Sequence, residues 1–286
     1  MLLIHNPVSG FQDAEFGSRL SAAIQAHGGE YRATTGPSQA TELARQIQPD
    51  HLIVAGGDDT LREVLAGIDL ERTSLGIVPV GTFNNVAQSL GLPVDPLEAL
   101  EVAIHGRLDR IDLGLYNGCH LFIESAGMGF VTDVFERAAQ GPEEHGLKRW
   151  VQGGVAAATA LFEYSPTRFE LEVDGLVYQF EAADLTIANL PLLGTNLRLA
   201  PQARPSDGHL DICVVPECSR LELVKTLPAA LAGEHEVIEF KAHRVVVRPS
   251  QPQPIRIDAV VTGPVKQAEF VCLPGALQVR LPQIAS

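Results

Sequence analysis

The first third of the chain alternates short apolar runs with stretches of helical periodicity. Leu2 to His5 is an apolar run that ends in the turn residues Asn6-Pro7-Val8-Ser9-Gly10. Phe16, Leu20, Ala23 and Ile24 then recur at helical spacing. Glu30 to Thr34 reads as a second strand. Thr34-Thr35-Gly36-Pro37 closes it, and Ser38 is placed to cap a helix carrying Ala40, Leu43, Ala44 and Ile47. His51 to Ala55 is a third strand. Gly56-Gly57-Asp58-Asp59-Thr60 follows, and Leu61, Val64, Leu65 and Ile68 restart the helical period. Leu75 to Pro79 is a fourth strand. Val80-Gly81-Thr82-Phe83-Asn84-Asn85 leads from it into a helix with Val86, Ala87 and Leu90, which Gly91-Leu92-Pro93 stops. Another helix runs from about Asp95 to His105. Strands alternating with helices predict a parallel sheet with helices on both faces.

Past about residue 108 the pattern changes. Arg110 to Tyr116 and His120 to Ser125 flank Asn117-Gly118, a strong hairpin signal. Gly127-Met128-Gly129 is expected to open a helix through Val131, Val134 and Phe135, followed by a polar loop at 140–146. Trp150 to Phe162 reads as a helix rich in small residues, which suit close helix packing or the lining of an acyl chain. Beyond it come short strands: Arg168 to Val173 and Val177 to Ala182 about Asp174-Gly175, then Leu185 to Asn189, Leu210 to Val215, Arg244 to Arg248, Ile255 to Ile257, Ala268 to Cys272 and Leu277 to Leu281. Many short strands with Gly and Pro turns predict an antiparallel sandwich or barrel. The expected design is a parallel α/β domain over residues 1–118 and a β-rich domain over 119–276, with about 277–286 free to return to the first domain. A cleft between the halves is a common place for a substrate.

Composition narrows the function. The chain is 286 residues long, 45% hydrophobic and 20% charged, which suits a globular protein with a substantial core. Its net charge of −14 argues against nucleic acid as a partner, because phosphate neutralisation needs clustered Lys and Arg. The same charge argues against strong electrostatic docking on anionic lipid. No run of about 20 apolar residues is present, and the start of the chain, MLLIHN, has no basic leader region, so a cytoplasmic protein is expected. The four cysteines lack CxxC spacing and read as reduced thiols; the nine histidines form no zinc pattern.

The chemistry gathers at the turns. A strand that passes through glycines straight into a helix leaves unpaired N–H groups at the helix start, where a phosphate can sit. Glycine lets the backbone approach the ligand closely. Asp58 falls at the carboxyl end of its strand, where open α/β sheets bind ligands. The plainer alternative is that Asp58 or Asp59 caps its own helix. Three such turns at one sheet edge converge on one place, and that convergence points to a nucleotide more strongly than any single turn.

These segments resemble the diacylglycerol kinase catalytic-domain family, which includes bacterial lipid kinases and sphingoid-base kinases. Asn6-Pro7-Val8-Ser9-Gly10 is similar to its NPxSG, Gly56-Gly57-Asp58-Asp59-Thr60 to its GGDGT, and Val78 to Ala87 to its PxGTxNDxA. Leu199-Ala200-Pro201 with Asp207-Gly208-His209-Leu210-Asp211 is similar to APxAxxxDGxLD, and Leu273-Pro274-Gly275-Ala276-Leu277 to the closing PGAL. Each motif is weak alone; five in order along nearly the whole chain are strong.

The resemblance implies an ATP-dependent lipid kinase that phosphorylates a primary hydroxyl of diacylglycerol or a similar lipid, the lipid entering between the two domains. It implies ATP contacts from Asn6, Pro7, Val8, Ser9 and Gly10, from Thr34, from Gly56, Gly57, Asp58, Asp59, Thr60, Leu61, Arg62 and Glu63, and from Gly81, Thr82 and Asn84. It implies Mg²⁺ held by Asp207 with the carbonyls of Arg204 and His209, and catalytic roles for Asp58 and Asp258. It also carries the expectation of a homodimer and of transient, largely apolar contact with a membrane surface.

Three departures stand out. The family's DGE near the C-terminus is Asp258-Ala259-Val260 here, so the glutamate that serves as base is a valine. The last glycine of GGDGT is Asp59, and Arg62 stands three residues on, where the two can pair along a helix. The aspartate of GTxND is Asn85. Two readings follow: a lipid kinase with Asp258 as base, directly or through water, or a nucleotide- or lipid-binding protein that has lost the chemistry. NAD kinase shares the GGDGT element but does not account for NPxSG, GTxN and DGxLD together.

Overall fold

The structure, a computed structural model, describes residues 1–10, 15–141, 147–194, 197–225 and 237–283; of residues 147–150 it describes the backbone alone. Most of the expected polar loop at 140–146 lies outside the described residues. The chain forms two compact units, Met1–Ile111 with Gly275–Ser286, and Asp112–Pro274.

The first unit holds β1 (Leu2–His5), α1 (Phe16–Ala26), β2 (Glu30–Ala33), α2 (Gln39–Ile47), β3 (His51–Gly56), α3 (Asp58–Leu65), β4 (Ser74–Pro79), α4 (Asn85–Ser89) and α5 (Pro96–His105). The elements beyond it are β5 (Arg107–Tyr116), β6 (His120–Phe122), β7 (Ser125–Gly129), α6 (Phe130–Ala139), α7 (Leu147–Glu163), β8 (Thr167–Val173), β9 (Leu176–Ala188), β10 (Leu210–Pro216), β11 (Ile238–Ala242), β12 (Arg244–Pro249), β13 (Gln253–Ile257), β14 (Val260–Val265) and β15 (Ala268–Leu281). Strands β5 and β15 each contribute residues to both units.

In the first unit β15, β4, β3, β1 and β2 pair in that order, all parallel. Every residue of β4 is buried, as a parallel strand covered on both faces requires. Helix α1 turns Phe16, Leu20 and Ile24 into a core with Leu3, Ile53, Ala55, Val78 and Val80. Full burial of a side chain such as Leu20 or Ile24 contributes roughly 1.5–3 kcal/mol. Helix α5 starts as its sequence dictates: Pro96 follows Asp95, whose carboxylate accepts the N–H groups of Leu97 and Glu98. Ser38 does not cap α2. It stands at the N-cap position with φ 63°, makes no side-chain cap, and donates its N–H to the Glu63 carboxylate at 3.1 Å.

The second unit is antiparallel in every strand pair. β9 is central: its first half pairs with β8, and its second half pairs with β7 on one side and β10 on the other. Its core includes Phe122, Met128, Phe169, Leu171, Ile187, Ile212, Val247, Ile255 and Phe270. The segments at 177–182 and 185–188 are thus one strand, and so are 268–272 and 277–281, since β15 continues through Pro274-Gly275 with Gly275 at φ 57°. Met128 lies in β7, not in a helix start, because the backbone of Gly127 and Met128 pairs with β9. Helix α7 packs on α6, where Gln152 Nε2 donates to Ala138 O, and its Ala156 and Ala160 are buried, while Val151, Gly154, Val155 and Phe162 are exposed.

Candidate active site

The turns after β1, β3 and β4 interlock at the carboxyl edge of the parallel sheet. Asn6 donates its N–H to Ala55 O and its Nδ2 to Thr60 Oγ1 at 3.1 Å, and its Oδ1 accepts the Val8 N–H. Gly10 has φ +60°, and a Cβ there would collide with the Val80 carbonyl. A Cβ on Gly81 would lie 2.5 Å from Gly57 Cα and 2.8 Å from Asn84 Oδ1. Two glycine backbones in contact leave no room for any side chain at this point.

Asp58 is the tie between two of these turns. Its Oδ2 accepts the Asn85 N–H and its Oδ1 the Val86 N–H, each at 3.1 Å. The aspartate caps a helix, but it caps α4 across the turn and not its own α3, whose N-cap is Gly57 with no side-chain bond. Asn84, at φ 54°, closes the β4 turn on itself: Gly81 N–H donates to its Oδ1 at 2.8 Å, and its Nδ2 donates to Gly81 O at 3.0 Å.

The residues expected to touch ATP separate by position. Pro7 and Val8 are exposed, and Ser9, Gly57, Gly81 and Thr82 are half-exposed at the turns. Thr34 is buried and donates its N–H to His5 O. Gly56 is buried with Thr60 packed against it. Leu61 has its side chain in the core, and its N–H donates to Gly57 O. Asp59 and Arg62 pair at 3.4 Å, and the exposure of both makes the bond worth under about 1 kcal/mol. We expect Gly81→Ala to force the β3 and β4 turns apart and to weaken ATP binding at least roughly tenfold, with the far-ultraviolet circular dichroism unchanged. Nucleotide titration by calorimetry checks this; equal affinity in the variant would separate the glycine contact from binding.

In the second unit the expected metal residues lie on the loop before β10. Asp207 Oδ2 meets Lys241 Nζ at 2.6 Å, and Asp207 Oδ1 accepts the His209 N–H at 3.2 Å. Burial opposes ionisation of Asp207, but the Lys241 ammonium outweighs it and holds the carboxyl below its usual range. Arg204 is exposed at the loop's start. Among the described residues no group of three or more His, Cys, Asp or Glu is arranged to hold a metal. The expected Mg²⁺ ligands are the Asp207 carboxylate and the carbonyls of Arg204 and His209; that carboxylate already bonds the Lys241 ammonium and the His209 N–H, an environment that suits a further cation poorly. Sequence reasoning missed Asp112, which steadies the same loop: its N–H donates to Pro205 O at 2.6 Å, and its Oδ2 accepts the Gly208 N–H at 2.7 Å.

Asp258 does not present a carboxylate to solvent. It is 3% exposed, sits at φ 49°, and accepts the N–H groups of Ile123, Glu124 and Ser125 at 2.8–3.2 Å. Burial raises its pKa against those three bonds. The fully buried Arg256 donates its Nη1 to Asp258 O, Ser125 O and Ser125 Oγ, and stands 5.2 Å from the Phe135 ring centroid. Both carboxylate oxygens of Asp258 hold the 123–125 segment. Val260, in the place of the family's glutamate, is 39% exposed on β14.

Asp184 completes this buried charge cluster. It accepts the Val131 N–H at 2.8 Å and the Thr186 hydroxyl at 2.9 Å, and burial pushes its pKa up to about 6. A carboxyl raised from 3.8 binds its proton more tightly when folded, so its contribution is full below about pH 4 and is lost as pH rises through 6. That loss is on the order of 3 kcal/mol. Asp184→Asn should flatten this part of the stability profile in urea melts at pH 5 and pH 7.5. Parallel profiles for wild type and variant would remove the buried carboxyl as its source.

A parallel α/β unit with knitted carboxyl-edge turns, together with an antiparallel sandwich, defines the class shared by diacylglycerol kinases and NAD kinases. Residues 1–116 match the diacylglycerol kinase catalytic domain, and residues 133–281 match the YegS C-terminal NAD kinase beta sandwich-like domain. The chain is 31% identical to a diacylglycerol kinase of Bacillus subtilis over 98% of its own length and 96% of that protein's. It is 32% identical to one of Staphylococcus carnosus over 88% of this chain and 84% of the other. This chain belongs to the diacylglycerol kinase family. Its fold matches a crystal structure of a diacylglycerol kinase from Bacillus anthracis, with TM-score 0.76 at 21% identity over 100% of this chain and 97% of that one. It also resembles an NAD kinase from Archaeoglobus fulgidus solved in complex with ATP, with TM-score 0.60 at 12% identity over 99% of this chain and 94% of that one.

Proposed function

We propose that this protein transfers the γ-phosphate of ATP to a primary hydroxyl of diacylglycerol or a similar lipid. The observation that carries the reading is the interlocked set of turns at the ends of β1, β3 and β4, in a chain of this family. Phosphoryl transfer asks a protein for positioning and for electrostatic stabilisation more than for covalent chemistry. Glycines at 10, 57 and 81 let the three turns close on one another, which gathers their backbone N–H groups at one edge. Asp58 fixes the α4 turn and sets a negative charge at the same edge. Asp258 acts as a positioning residue for the 123–125 segment, so the hydroxyl proton leaves by another group or through water.

No helix among the described residues is long and apolar enough to cross a membrane. The lipid is reached by transient surface contact, which the exposed Val151, Val155 and Phe162 of α7 support. A second reading, binding of nucleotide or lipid without transfer, is favoured by one feature: Val260 stands where the family has its base, beside an Asp258 whose oxygens are engaged.

Transfer of labelled phosphate from ATP·Mg²⁺ into a total lipid extract decides between them. Label in one lipid band supports the kinase and identifies its substrate class. Absence of label from folded protein supports the binding reading.

A further inference from the structure

Lys241 and Asp211 face each other as direct cross-strand partners on β11 and β10. The lysine Nζ lies 3.1 Å from Asp211 Oδ1, 3.2 Å from Asp211 Oδ2 and 2.6 Å from Asp207 Oδ2. One ammonium therefore bridges the loop carboxylate to the strand that follows the loop. Asp211 is nearly buried, its side chain 7% exposed, and the ammonium is its charge partner there. The other oxygen of Asp207 is used by the His209 N–H, and Asp112 bonds the loop at Pro205 and Gly208.

The acidic end of the loop has its cation. A Mg²⁺ bound to Asp207 Oδ2 at about 2.1 Å would stand within about 5 Å of the ammonium, which itself bonds that oxygen. Lysine brings a compact point charge with three donors on a flexible stem, which is enough to neutralise two carboxylates at once. We propose that Lys241 is a built-in replacement for a loop-ordering metal, so that the 204–211 segment keeps its shape without a divalent cation, and that removal of the ammonium turns this segment into a cation-binding one. The inference does not rest on the lipid-kinase reading, and its readouts need neither nucleotide nor lipid.

Three proteins test it: wild type, Lys241→Met, which keeps an apolar stem and loses the charge, and the double variant Lys241→Met with Asp207→Asn. Each is melted in excess EDTA and in millimolar magnesium chloride, and each is titrated with Mn²⁺ by electron paramagnetic resonance. Wild type should melt at the same temperature in both buffers. Lys241→Met should melt lower in EDTA by at least roughly 2–4 °C, recover most of that loss in magnesium, and bind Mn²⁺. The double variant should bind no Mn²⁺ in that titration. Lys241→Arg keeps the charge and should stay close to wild type, which guards against a general loss of fold. A wild type whose melting temperature rises saturably with magnesium overturns the proposal. So does a Lys241→Met protein that melts as wild type in EDTA, or that loses stability and does not answer to magnesium.

Discussion

Asp58→Ala is expected to reduce phosphate transfer by at least roughly 100-fold in kcat/KM, with the fold retained. The effect comes from geometry. The Asp58 carboxylate accepts the first two N–H groups of α4, and those bonds set the turn that carries Gly81 and Thr82 against Gly57. Without the carboxylate the two N–H groups lose their partner, and the β4 turn is free to drift from the β3 turn. A displacement of about 1 Å at reacting atoms is enough for a loss of this size. The charge is lost as well. Asp58→Asn separates the two contributions, since its amide oxygen can still accept one of the N–H groups. Recovery of most activity in Asp58→Asn would assign the residue to positioning alone. Activity equally low in both variants would assign the charge itself to the transfer step. Full activity in Asp58→Ala would remove the turn from the chemistry altogether.

Asp258→Ala is expected to lower the stability of the protein by about 3–5 kcal/mol, because it leaves three buried N–H groups without their acceptor and removes a carboxylate that offsets the charge of the buried Arg256. Arg256 is 0% exposed, and burial already pulls its pKa down against the attraction of Asp184 and Asp258. Removing one of those two carboxylates leaves the arginine far worse compensated. Urea unfolding gives the number. A variant within about 1 kcal/mol of wild type that has lost transfer would restore Asp258 to direct participation. A variant that is strongly destabilised, yet retains turnover when folded at low temperature, would fix its role as structural.

The two expectations differ in how local their causes are, and so does what the sequence could tell. The turns of the first unit were legible because a strand, a glycine pair and a helical period are local patterns. Asn6-Pro7-Val8-Ser9-Gly10 and the 56–60 and 80–85 segments stand where their spacing put them. Hairpins at Asn117-Gly118 and Asp174-Gly175 were legible for the same reason: these residues adopt positive φ, and the structure has them there. Strand continuity was less legible. Pro274-Gly275 reads as a stop, yet β15 runs through it from Ala268 to Leu281. β11 and β14 escaped notice because their exposed positions blur the alternation.

By itself the sequence determined the strand and helix order of the first unit, the parallel and antiparallel halves, the glycine turns and the family. Each depends on residues within a few positions of one another, or on motifs whose order is conserved in the chain's own text. Only the tertiary structure decided what the charged side chains do. Asp58 caps a helix that starts 27 residues later, Lys241 answers carboxylates 30 and 34 residues before it, and Asp258 holds backbone 133–135 residues away. A charge finds its partner through space, and burial sets what that partnership is worth. Neither quantity is written in the spacing of residues along a chain.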